Sequence, residues 1–142
     1  MSIRLRLIIA ALFLLGLGGF VFAAMVGDDS SGDPSISGND AIESVAPAPG
    51  AEALQQQSVV VDLTAPYRVT SMLITPTRDR SAGVEVISQV VLREGLNEYV
   101  FSPGEDKLIE ALSSDTNCVF VTYVEVARPG QPLTIDWCFE VT

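Results

Sequence analysis

Histidine is absent from this chain of 142 residues, lysine occurs once, at Lys107, and cysteine twice, at Cys118 and Cys138. Each scarcity closes a class of chemistry. Without histidine, the commonest general base and the usual zinc ligand are missing. The one lysine falls on an expected surface helix. The two cysteines lack the C-x-x-C spacing of a redox pair. No nucleophile elbow, phosphate-binding loop or dinucleotide fingerprint occurs in the sequence. Basic residues are scarce as well: 8 Lys and Arg stand against 18 Asp and Glu, a net charge of −10. Binding nucleic acid requires neutralising phosphates, so that partner class is set aside. No enzyme, cofactor or metal is expected. The acids around Asp28, Asp29 and Asp33 lack the spacing of an EF-hand.

What is present is unevenly laid out. Residues 1–26 carry +2, residues 27–57 carry −6 and residues 58–142 carry −6. Arg4 and Arg6, in the basic start 1–6, precede an uncharged apolar run from Leu7 to Val26. Its 20 residues, at ~1.5 Å each, match roughly one bilayer core. The flanking charge puts the N-terminus in the cytoplasm and the bulk outside. We read 7–26 as a retained transmembrane helix or uncleaved signal anchor. The alternative is a signal peptide cut near Ala23, which would release the rest as a periplasmic or secreted protein. Within the run, Gly19 and Ala23 form a small-xxx-small pair that lets two membrane helices approach.

Residues 27–57 are rich in Gly, Ser, Pro, Asp and Ala, without sustained apolar periodicity. That composition predicts a disordered acidic linker, reaching on the order of 30 Å r.m.s. for a coil of this length.

From Ser58 onward the residues alternate as strands do. Six strand candidates follow: SVVVDLTA, YRVTSMLITPT, VEVISQVVLR, EYVFS, NCVFVTYVEVA and LTIDWCFEVT. In the third, Val84, Val86, Val90 and Leu92 share a face. In the last, Leu133, Ile135, Trp137, Phe139 and Val141 alternate with polar residues, which places Trp137 and Phe139 in the core. A role for Trp137 as a ligand-stacking platform is the competing reading. Ser102, Pro103 and Glu105 form a helix-start signature, so a short helix is expected over 103–112 with Leu108, Ile109 and Leu112 as its apolar stripe. Glu105 and Asp106 are explained by its dipole. Asp136 and Glu140 read as a solvated face. Together these predict an all-β domain over 58–142: a small antiparallel, immunoglobulin-like β-sandwich with one short helix.

An oxidising compartment favours a disulfide between Cys118 and Cys138. The register decides whether it can form. A tight turn over Arg128–Gln131 pairs residues summing to 259 and sets the cysteines on opposite faces. A bulge, or a loop centred on Arg128, gives a sum of 256 and opposes them directly. Apolar matching is equally good in both. Arg78 and Arg80 are the only close basic pair in the domain, and they suit electrostatic contact with an acidic partner.

Anchor, tether and sheet domain make the architecture of an accessory subunit. The expected role is non-catalytic protein–protein contact in a bacterial envelope complex, such as a secretion, pilus or respiratory assembly. The chain would sit in the inner membrane with its C-terminal domain in the periplasm. Its partners would be membrane or periplasmic proteins and inner-membrane lipid. The rival is a released module that binds a ligand or carbohydrate on an aromatic surface.

Overall fold

The computed structural model describes residues 36–142. The membrane span read over 7–26, with Gly19 and Ala23, lies outside them, as does residue stretch 27–35 of the linker. Among the described residues no helix is long and apolar enough to cross a membrane.

The described chain is all-β and forms two sheets. Its strands are β1 (Ile42–Ala46), β2 (Glu52–Ala53), β3 (Val59–Leu63), β4 (Tyr67–Thr75), β5 (Val84–Glu85), β6 (Val91–Arg93), β7 (Glu98–Phe101), β8 (Asp115–Glu125) and β9 (Arg128–Val141). One sheet runs β1-β3-β7-β6 and the other β2-β9-β8-β4-β5. Pairing is antiparallel except between β2 and β9, which are parallel.

The alternation seen in the sequence is what builds the core. β3 buries Val59, Val61 and Leu63, and β9 buries Ile135, Trp137, Phe139 and Val141. These meet Met72, Val119, Val121, Tyr123 and Phe101 in one apolar cluster. Trp137 is 1% exposed, and its indole N–H donates to the Pro47 carbonyl at 2.9 Å. A buried aromatic of this size is worth about 3–5 kcal/mol against alanine. Its burial leaves the core role and removes the stacking-platform role.

Three expectations are corrected and one open alternative is decided. First, order begins well before Ser58. β1 and β2 are edge strands of the two sheets, inside the segment read as disordered linker. The apolar residues Ala41, Ile42 and Ala53 are too widely spaced to show periodicity, yet each is buried. Second, the stretch VEVISQVVLR is not one strand. β5 closes the edge of one sheet, a 3-10 turn at Ile87–Gln89 follows, and β6 closes the edge of the other. The Glu85 carboxylate holds the chain at this break. It accepts from the Met72 N–H at 2.8 Å, the Ile87 N–H at 3.2 Å and the Ser71 hydroxyl at 2.5 Å, while the Val86 N–H donates to the Met72 carbonyl at 2.8 Å. Val86 is buried, whereas Leu92 is exposed.

Third, no helix forms over 103–112. Asp106 adopts φ 64°, a left-handed conformation that interrupts a helix after its first turn. The segment is a loop in which Leu112 alone of the expected stripe is fully buried, while Leu108 is 52% exposed. The only helical turns among the described residues are 3-10, at Arg80–Ala82 and Ile87–Gln89. Fourth, Arg128–Gln131 is not the hairpin turn. Glu125 pairs with Arg128 around Val126 and Ala127, and the register then shifts so that Tyr123 faces Leu133. The residues between Arg128 and Leu133 are absorbed as an irregularity of β9, which produces the 256 register beyond it.

Register also defines two ends. At one end, here the entry end, lie Ile36–Ala41, the β3–β4 connection 64–66, the β6–β7 turn 94–97 and the β8–β9 hairpin tip. At the opposite end lie the long connections 76–83 and 102–114.

Candidate functional site

A cleft of about 500 Å³ opens at this second end. Its floor is Ile74, the penultimate residue of β4, and Asn117, near the start of β8; both are 2% exposed. Its walls come from the two long connections, with Val84, Leu108 and Ile109 supplying apolar surface and Glu110 a carboxylate.

Each wall is held by polar contacts that short-range sequence patterns do not reveal. In the first, the Asp79 side chain accepts from the Ser81 N–H at 2.9 Å and the Ser81 hydroxyl at 2.7 Å, capping the 3-10 turn. These bonds hold the Asp79 carboxyl below the usual aspartate range. The Thr75 hydroxyl donates to the Asp79 carbonyl at 2.9 Å and draws the loop back onto the sheet. In the second wall, Gln89 Oε1 accepts the Leu108 N–H at 2.8 Å, and the Gln56 amide donates to the Glu110 carbonyl at 3.0 Å. The Leu112 N–H donates to the Gln55 carbonyl at 2.9 Å. Asn117 closes the segment at its base, accepting the Ser113 N–H at 3.1 Å and donating to the Ser113 carbonyl at 2.7 Å. Chain that reads as linker thus braces one wall, through Gln55 and Gln56.

The two arginines singled out in the sequence lie on the first wall but differ in what they do. The Arg80 guanidinium sits over the Phe120 ring at 4.3 Å. Arg78 is exposed and, among the described residues, makes no ion pair. The structure therefore splits the pair: Arg80 packs its loop against β8, and Arg78 is exposed on the same connection.

Cys118 and Cys138 are bonded. They face each other directly across β8 and β9, on the face of the sheet turned away from the core cluster. The bridge lies toward the cleft end, where Thr75 pairs with Cys118.

Of the residues lining this cleft only Glu110 is ionisable. Among the described residues no group of three or more acids or cysteines is placed to hold a metal. A second perturbed acid lies elsewhere. Asp62 on β3 has its pKa raised, first by burial and then by the charges of Glu43 and Glu98. Its Oδ1 is buried without a hydrogen-bond partner. An apolar cleft with one acidic residue, Glu110, in its lining suits recognition of a side chain or small molecule.

No family model matches the chain, and no curated protein matches it. Among solved structures it is similar to PcoC, a methionine rich copper resistance protein from Escherichia coli. The likeness is 19% identity over 71% of this chain and 96% of that one, with a TM-score of 0.51. The selenomethionine form of the same protein is 17% identical over 71% of this chain and 98% of that one, with a TM-score of 0.47. At such identity the first likeness speaks for the fold alone: two β-sheets.

Proposed function

We propose that this protein is a membrane-tethered, non-catalytic, immunoglobulin-like β-sandwich of the bacterial periplasm. It acts by holding a protein partner in an inner-membrane assembly of the secretion, pilus or respiratory kind. The observation that carries this reading is the apolar cleft of about 500 Å³, with the unpaired Arg78 on the connection that supplies Pro76 and Ala82 to one wall. Exposed Leu108 offers an anchor point, and Arg78 gives an acidic partner an electrostatic register. The bonded Cys118–Cys138 pair accords with an oxidising compartment.

Copper handling, the role named for the similar structure, is a poor fit to the donors of this chain. It has three methionines, Met1, Met25 and Met72, and no histidine. Met72 is fully buried in the core, and both cysteines are in the disulfide. A released ligand-binding module remains the second reading, because a cleft of this size also accommodates a small molecule. The aromatic platform imagined for it is lost with the burial of Trp137.

A photo-crosslinking residue at Leu108 in the tagged full-length chain tests the proposal in intact membranes. A discrete protein adduct, weakened by Arg78→Glu, is the expected result. A soluble mature product starting near Ala24, with no adduct, would overturn it in favour of the second reading.

A further inference from the structure

The entry end combines three independent features. The first is chain length. The described residues begin at Ile36, and nine residues of sequence, 27–35, separate it from the apolar run ending at Val26. Nine residues span at most roughly 30 Å in any conformation.

The second is exposed apolar surface. Leu96 is 65% exposed at the β6–β7 turn, Val126 56% at the β8–β9 hairpin tip and Leu133 46% where β9 regains register. These loops are tied together. Asn97 donates to the carbonyls of Leu63 at 2.9 Å and Tyr67 at 3.0 Å, and the Val126 N–H donates to the Pro66 carbonyl at 3.0 Å.

The third is polarity. Residues 64–66 and 126–133 contain one charged side chain, Arg128, which is paired with Glu125. They contain three prolines, Pro66, Pro129 and Pro132, which have no N–H to leave unpaired in an apolar medium.

We propose that the entry end rests on the lipid surface, with Leu96 and Val126 dipping into the boundary between headgroups and acyl chains. The inference rests on the reading of 7–26 as a retained span. Lipid is the favoured occupant because the covalent tether holds this end within reach of the bilayer, where shallow apolar contacts too weak for a free domain become effective. The surrounding acids Asp40 and Glu94 make the attraction apolar rather than electrostatic. The cleft then points away from the membrane, toward the compartment where a partner is met.

The test uses the full-length chain reconstituted in phosphatidylcholine vesicles containing brominated phosphatidylcholine. Leu96→Cys, Val126→Cys and Leu108→Cys each carry a fluorophore, with the native disulfide intact. Quenching of about twofold or more at 96 and 126, with none at 108, is expected. Adding phosphatidylserine should not increase it, and Val126→Asp should reduce it at position 96. Absent or uniform quenching in carbonate-resistant protein overturns the docked end but leaves the span standing. So does quenching that requires phosphatidylserine, or crosslinking of 96 and 126 to a protein without quenching. Extraction of the full-length chain by carbonate overturns the span and the docked end together.

Discussion

The two ends of the sandwich solve the same problem differently. At the entry end, short connections are drawn together by asparagine side chains. Asn97, at φ 52°, donates to carbonyls of the β3–β4 connection, and Asn39 donates to the Tyr123 hydroxyl at 2.8 Å. At the cleft end the connections are long. They are held by Gln55, Gln56 and Gln89 from outside the sheets and by Asn117 from β8, and the disulfide joins β8 to β9 nearby. The difference shows that closure of a β-sandwich does not require apolar plugging at its ends. Asn97 at one end and Gln56, Gln89 and Asn117 at the other satisfy loop backbone through their side-chain amides.

Removing the covalent element at the cleft end should have the largest effect. The Cys118→Ala/Cys138→Ala double variant, with a closed loop of 20 residues lost, should unfold in urea with about 3 kcal/mol less stability. If the loss is far smaller, the hydrogen bonds around Asn117 already hold that end and the contrast between the ends weakens.

Asn97→Ala should come next, at about 1–3 kcal/mol, because it leaves buried carbonyls without a donor and strains a left-handed position. Asn97→Gly separates the two causes. It keeps the backbone freedom and loses only the hydrogen bonds, so it should recover part of the loss in the same urea titration.

The smallest effect is expected at Asp62. Its folded-state pKa is raised, so the native state binds the proton more tightly than the unfolded chain. The associated stability is present below the ordinary aspartate range and is lost as pH rises through the raised value. Asp62→Asn should therefore stabilise the domain slightly at neutral pH, and the advantage should vanish in acid. Thermal melts at several pH values check this; a destabilised variant at neutral pH would show that the carboxylate has a favourable partner.

Much of the fold was legible because it is written in period-two alternation. The residues of β3, β4, β7, β8 and β9 sit where Val, Ile, Phe and Trp recur at every second position. The disulfide was legible only as a pair of alternatives, since both registers match apolar to apolar. The bulge that decides between them lies in RPGQP, which reads equally well as a turn. β1 and β2 were hidden because edge strands bury few side chains; Ala41, Ile42 and Ala53 do their packing with no repeating pattern. The helix over 103–112 failed for the opposite reason. Its start signals are genuine, but contacts from Gln55 and Gln89, distant in sequence, fix the backbone as a loop. The cleft was illegible for that reason: its walls are set by partners that no local window contains. Of the candidate contact residues, Arg78 is exposed, while the stacking of Arg80 depends on Phe120, a residue from another strand.

The strands at the margins have one more implication. β1 and β2, in Ile42–Ala53, border different sheets, and so do β5 and β6, in Val84–Arg93. Each margin of one layer is continuous in sequence with a margin of the other, like two hems sewn with single threads. A breathing motion that lifts one border therefore tugs at its counterpart across the core. Neither layer presents a border that can peel away alone and recruit a foreign strand, which protects the domain from that kind of misassembly.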